Sequence, residues 1–237
     1  MIESSNNKTI KNIIKLKSKK YQDKENLFIV EGKHLVEEAY KKGYLRTVLS
    51  AKEENYPNTI LVSENLLKKI SDLKSAPSII GVCEKIKNGN IKGKVCILCD
   101  LQDPGNVGTI IRSAKAFNID TLVLSSSCVS IYNSKVIRAS EGLIFSQNII
   151  IDDAKKVIDN LKNEGYTIYT TDVLNGTDLE KVSFPEKSAI LIGNEGNGVD
   201  KSIATLADET LHIKMNEDCE SLNAAVSASI IFYKLNI

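Results

Sequence analysis

The stretch DPGNVGTIIRSA, residues 103–114, decides how this chain is read. Asp103-Pro104-Gly105 is a rigid turn, and the apolar residues behind it have helical spacing. Taken as a helix from Asn106, the stretch buries Val107, Ile110, Ile111, Ala114 and Phe117 on one stripe and carries Arg112 roughly opposite. Glycines at a strand-to-helix junction usually shape the backbone around a nucleotide. Gly105-Asn106-Val107-Gly108 fits neither the dinucleotide fingerprint nor the phosphate loop with its lysine. The turn needs another explanation, one that accounts for Asn106 and Arg112.

Outward from that stretch, strands alternate with helices. KVCILCD (94–100), TLVLS (121–125), YTIYTTD (166–172), SAILI (188–192) and LHIKM (211–215) read as strands. SKVIRASEG (134–142), DDAKKVIDNLKNEG (152–165) and ESLNAAVSASIIFYKL (220–235) read as helices. The alternation argues an α/β fold with a mostly parallel sheet and helices on both faces. Ligands of such sheets sit at the carboxyl ends of the strands, where Asn106, Glu195 of GNEGNG (193–198) and Ser221 of ESLN fall. Ser221 has the position of an N-cap, and Leu222, Ala225, Val226, Ser229, Ile230 and Tyr233 form one face of the helix behind it.

The polar, glycine-bearing KIKNGNIKGK (85–94) marks the domain boundary. The expected division is a small α/β domain over 1–85, a linker over 86–94 and a second domain over 95–237. The first domain opens on a basic amphipathic helix, IKNIIKLKSKK, and HLVEEAYKKG is a helix with Leu35, Ala39 and Tyr40 on one side. Residues 1–94 hold 19 Lys+Arg against 11 Asp+Glu, whereas the remainder holds 12 against 19. That asymmetry points the first domain at a polyanion.

Five cysteines, at 83, 96, 99, 128 and 219, are too scattered for a disulfide framework. Cys96 and Cys99 form a CxxC, but residues three apart on a strand face opposite ways and do not grip one metal ion. No metal is expected. No run approaches the roughly 18 apolar residues of a membrane span, and the N-terminus lacks an apolar secretory core, so cytoplasmic residence is expected.

DPGNVGTIIRSA, KVIRAS, LIGNEGNGV and IKM with ESLN, in this order over residues 95–235, resemble the SpoU/TrmH family of RNA ribose 2′-O-methyltransferases, of the SPOUT superfamily. SKKYQDKENLFIVEGKHLVEEA looks like the accessory RNA-binding domain of two-domain members, most of which modify large-subunit ribosomal RNA. The resemblance implies a deep trefoil knot, a homodimer, and S-adenosylmethionine held at Thr170, Gly193, Ile213 and Leu222. It implies catalytic or positioning roles for Asn106, Arg112, Glu195, Ser221 and Asn223, and RNA contact by Arg138. Arg112 would deal with the ribose hydroxyl, as a base or as a cation that steadies the alkoxide. Lys11, Lys15, Lys17, Lys19 and Lys20 would attract RNA phosphates. The substrate expected is 23S ribosomal RNA, with transfer RNA, or a non-catalytic RNA-binding role, as the alternatives. The sequence departs from the family pattern at Lys214, Glu217 and Glu141, and the two acids Glu217 and Asp218 either alter the fit of this loop around the cofactor or point to solvent.

Overall fold

The computed structural model describes residues 1–236; position 237, the end of the expected second domain, lies outside them. In chain order come α1 (Lys8–Lys15), α2 (Lys19–Glu25), β1 (Leu27–Glu31), α3 (Lys33–Lys41), β2 (Leu45–Ser50), β3 (Thr59–Leu61), α4 (Glu64–Ile70) and β4 (Ile79–Glu84). Next are β5 (Val95–Leu98), α5 (Pro104–Ala116), β6 (Thr121–Leu124), α6 (Ser134–Ala139), β7 (Asn148–Ile151) and α7 (Ala154–Asn163). The remainder holds β8 (Thr167–Thr171), β9 (Thr177–Asp178), β10 (Ser188–Ile192), α8 (Lys201–Ala204), β11 (Glu209–His212) and α9 (Ala224–Leu235).

The chain forms two compact units: Met1–Lys87 with Tyr132–Ser146, and the rest of the described residues. The first break falls between Lys87 and Asn88, and a separate piece, Tyr132–Ser146, belongs to the first unit. Residues 132–146 join the first unit because their apolar side chains fit its aromatic core: Phe28 lies 4.7 Å from Tyr132 and 5.9 Å from Phe145, ring centre to ring centre. In that unit, the four-stranded sheet runs β1-β4-β2-β3. Ile10 and Ile13 of α1 and Leu66, Leu67 and Ile70 of α4 share one core with Leu49, Ile80 and Val82 of the sheet. Helix α3 buries Leu35, Val36 and Ala39; Tyr40, expected beside them, is about half exposed and stands edge-on to Tyr56 at 5.2 Å.

The second unit carries a seven-stranded sheet in the order β7-β6-β5-β10-β8-β11-β9, parallel at every pairing. From β5 the chain builds outward through β6 and β7, then returns to lay β8 and β10 on the other side. The switch of direction falls between β5 and β10, where sheets of this kind leave a crevice. Val95, Ile97 and Cys99 share a core with Val157, Ile158 and Leu161 of α7. Cys96 is also fully buried but lies outside that cluster, as strand alternation requires. Burial pushes the Cys99 thiol up to about 12 and the Cys96 thiol well above its ordinary value. The sequence reading passed over two strands, β7 and β9. It also placed the last strand at 211–215, whereas pairing with β8 runs over Glu209–Leu211.

Helices α5 and α9 pack on each other. Helix α5 begins at Pro104, two residues before the expected start. Asp103 caps it by accepting from the Asn106 amide at 2.8 Å, and Pro104 fills the first turn, where no donor is needed. Helix α9 buries Ala225, Ala228, Ile231, Phe232 and Leu235, so its expected face is rotated. Val226, Ile230 and Tyr233 point outward, at 47%, 38% and 55% exposure.

Candidate active site

The carboxyl ends of β8, β10 and β11 open into a cavity of about 720 Å³. Its walls include Thr170 at the end of β8, Gly193 to Val199 behind β10, Ile213 and Met215 behind β11, and Ser221 and Leu222 ahead of α9. All four residues expected at a cofactor thus meet in one space, together with Glu195 and Ser221. The hydroxyl Oγ1 of Thr170 is buried and has no hydrogen-bond partner among the described residues. A buried hydroxyl without a partner costs free energy, and this one belongs to a residue on the cavity wall.

The loop behind β10 is held tightly. Asn194 and Gly198 exchange backbone hydrogen bonds, both at 2.9 Å, and the Asn194 side chain donates to the Asp100 carbonyl at 2.9 Å. A Cβ on Gly193 would stand 2.0 Å from the carbonyl carbon of Gly198 and 2.1 Å from the Val199 nitrogen. Backbone atoms cannot step aside, so only glycine fits. Gly198 itself has φ +69°, a region that side chains disfavour. Gly193 and Gly198 therefore serve a close crossing of the loop on itself.

Three side chains far apart in sequence join at the edge of this loop. Asn223 donates its Nδ2 to Oδ1 of Asn106 at 2.8 Å, and Asn106 donates its Nδ2 to Oε1 of Glu195 at 3.0 Å. Glu195 also accepts from the backbone amides of Asp103 at 3.1 Å and Gln102 at 3.4 Å. Partial burial would raise the Glu195 carboxyl, but the Asn106 amide and the surrounding backbone N–H groups outweigh it and hold it below the usual glutamate value. Asn223 rather than Ser221 caps α9: its Oδ1 accepts from the Ala225 and Val226 amides at 2.9 and 3.3 Å. Asparagine caps as well as serine, and the cap falls two residues later because Ser221 and Leu222 belong to the cavity wall.

The remaining expected residues are placed as follows. Arg112 lies on the exposed side of α5, outside the cavity lining, and makes no hydrogen bond or ion pair among the described residues. Arg138 lies on α6 in the first unit, with Nη1 buried and without a hydrogen-bond partner among the described residues. Lys11, Lys15, Lys19 and Lys20 are exposed. Lys17 is engaged, pairing with Asp72 at 2.8 Å, because α4 ends beside α1 and brings Asp72 within reach. Glu217 and Asp218 are exposed and off the cavity wall. The sequence reading missed Asp172 and Lys201, which line the cavity. Asp172 closes the stretch YTIYTTD expected as a strand and directly follows β8, so the strand-end rule alone would have found it. Lys201 sits in a short helix with no motif of its own.

The description SpoU rRNA Methylase family belongs to a family model that matches residues 93–233, and MRM3-like substrate binding domain to one that matches residues 7–81. The chain is 34% identical over 246 residues to the 23S rRNA (guanosine(2553)-2′-O)-methyltransferase RlmP of Bacillus subtilis (strain 168), with 99% of this chain and 98% of that one covered. Among solved structures, the AdoMet-bound rRNA methyltransferase from Sinorhizobium meliloti matches with a TM-score of 0.88 at 23% identity, covering 99% of this chain and 96% of that chain. The SpoU methyltransferase AviRb from Streptomyces viridochromogenes, in complex with AdoMet, matches with a TM-score of 0.87 at 24% identity, covering 97% of each. At that identity the two structures establish a shared fold.

Proposed function

The chain belongs to the SpoU rRNA methylase family, and from that premise we propose that it methylates a ribose 2′-hydroxyl of 23S ribosomal RNA with S-adenosylmethionine. The single observation that carries this reading is the meeting of Thr170, Gly193, Ile213, Leu222, Glu195 and Ser221 around one cavity. The residues present suit the cofactor. The unpartnered Thr170 hydroxyl offers a polar contact, Ile213, Met215 and Leu222 offer apolar walls, and the loop 193–198 presents bare backbone. S-adenosylmethionine supplies a methyl group activated by its sulfonium.

The protein's tasks are to align the ribose oxygen, keep water out and manage the hydroxyl proton. Charge is lost along the path of this reaction, so the apolar wall favours it. Arg112 is the residue for the oxygen: a guanidinium stays charged in ordinary sites and has a planar fork suited to a phosphate and an emerging alkoxide together. Glu195 is a poor candidate for a base, because three donors already hold its carboxylate. It serves as an acceptor that fixes Asn106.

The same reading includes a homodimer, a trefoil knot and cytoplasmic residence. Arg112 stands outside its own chain's cavity, on a helix packed against α9, whose Val226, Ile230 and Tyr233 form an uncovered apolar face. A second copy seated on that face buries the apolar side chains and brings Arg112 toward the partner copy's cavity. The knot is supported by the hydrogen bond from Asn223 back to Asn106, 117 residues earlier, which draws the C-terminal segment against the first helix of the unit. Cytoplasmic residence follows from a ribosomal substrate. In the first unit, the exposed Lys11, Lys15, Lys19 and Lys20 supply phosphate attraction.

The test is transfer of labelled methyl to ribosomal RNA from a strain lacking this gene, followed by mapping of 2′-O-methyl positions. One methylated ribose in 23S RNA is expected. Label confined to transfer RNA, label on a base, or no transfer at all would overturn the reading.

A further inference from the structure

The two loops that bound the cavity are tied to each other through one amide. Loop 193–198 reaches Asn106 through Glu195, and the segment entering α9 reaches it through Asn223. The amide uses its two ends in opposite senses, as donor to a carboxylate and as acceptor from an amide. A flip would set its carbonyl oxygen against Glu195 and its NH2 against that of Asn223, so the partners fix one orientation. Asn106 is buried in the first turn of α5, and Arg112 sits less than two turns on along the same helix. Resting on the methyl-transfer reading, we propose that the Glu195–Asn106–Asn223 chain couples filling of one copy's cavity to the placement of that copy's Arg112, which serves the partner copy's cavity. Glu195 and Asn106 are then positioning residues, and neither touches the reacting atoms.

Physically, a ligand in the cavity presses on Glu195, Ser221 and Leu222 together. Glu195 bonds Asn106 directly and the 221–222 segment reaches it through Asn223, and α5 can transmit the constraint because its stripe of Val107, Ile110, Ile111 and Ala114 is fully buried in a close-packed interior. Coupling of binding to conformation is reciprocal, so whatever loosens Asn106 weakens cofactor binding, and turnover falls separately because Arg112 is no longer held in place.

The experiment titrates the full-length chain with S-adenosylhomocysteine and measures methyl transfer at saturating S-adenosylmethionine. Asn106→Asp keeps the shape but sets a carboxylate against Glu195. A loss on the order of tenfold in affinity is expected, with turnover falling alongside. The deficit relative to wild type should narrow from about pH 8 to about pH 5, as the two carboxyls come to share a proton. Adding Glu195→Gln to Asn106→Asp removes the repulsion between the two carboxylates and should recover part of both affinity and turnover, the remainder staying lost because the Asp103 amide then faces an NH2 where it had an oxygen. Wild-type-like binding by Asn106→Asp, a loss indifferent to pH, or recovery of only one quantity in the double variant would overturn the coupling. Should Asn106→Asp not fold, Glu195→Gln alone must lower both quantities several-fold; unchanged behaviour would refute the idea. Failure of the wild type itself to bind S-adenosylhomocysteine would instead refute the underlying reading.

Discussion

The hydroxyls of Ser113 and Ser229 lie 2.7 Å apart, joining α5 one residue past Arg112 to the middle of α9. Ser229 also donates to the Ala225 carbonyl at 2.7 Å, which leaves Ser113 as the donor between the two helices. Ser113→Ala removes that donor but leaves Ser229 satisfied. A stability loss of about 1 kcal/mol is expected, read as a lower midpoint in urea with unchanged slope. A changed slope would mean that the helices had repacked instead.

Gly193→Ala is expected to be far more damaging. Its Cβ would meet backbone atoms near 2 Å, and the Asn194–Gly198 crossing would have to open. Titration with S-adenosylhomocysteine should show binding abolished, while circular dichroism retains the α/β signal. Normal binding by this variant would refute the tight crossing described for the loop.

Arg112→Lys should fold and bind cofactor as the wild type does, since Arg112 is exposed and supports no other side chain. Methyl transfer should fall by at least 100-fold, about 2.7 kcal/mol in the barrier, because a point charge does not reproduce the planar fork. Turnover near normal at saturating RNA would remove Arg112 from the mechanism.

Glu195 sets a pH dependence. Its carboxyl is held below the ordinary glutamate value, so its ionised form is better stabilised in the folded chain. That stability is fully present above the unfolded glutamate value of about 4.3, and is lost as pH falls through the lower folded value. Melting temperatures of wild type and Glu195→Gln should therefore differ at neutral pH and converge in acid. A gap that widens on acidification would contradict the hydrogen bonds assigned to this side chain.

Ile230→Asp puts a charge on the uncovered face of α9, among Val226 and Tyr233. Sedimentation should show a dimer for the wild type and a monomer for the variant. Methyl transfer should be lost with the dimer. A wild-type monomer that methylates RNA would sink the proposal of a shared site.

The sequence by itself determined the parallel α/β plan, since apolar strands such as SAILI and helices such as DDAKKVIDNLKNEG carry their periodicity locally. It also singled out Asn106 and Glu195, because an amide or an acid beside glycines at a strand end stands apart from core and surface residues alike; Asn223, between Leu222 and Ala224, came from the family resemblance alone. It misassigned what depends on a neighbour brought from elsewhere. Whether Ser221 or Asn223 caps α9 turns on which residue the cavity wall claims. Which face of α9 is buried turns on where α5 lies, and Tyr132–Ser146 joins the first unit because Phe28 is there to receive it. Hydrogen bonds between residues 89 and 117 positions apart exist only once the sheet has folded, and only the tertiary structure could decide that these three side chains hold one another.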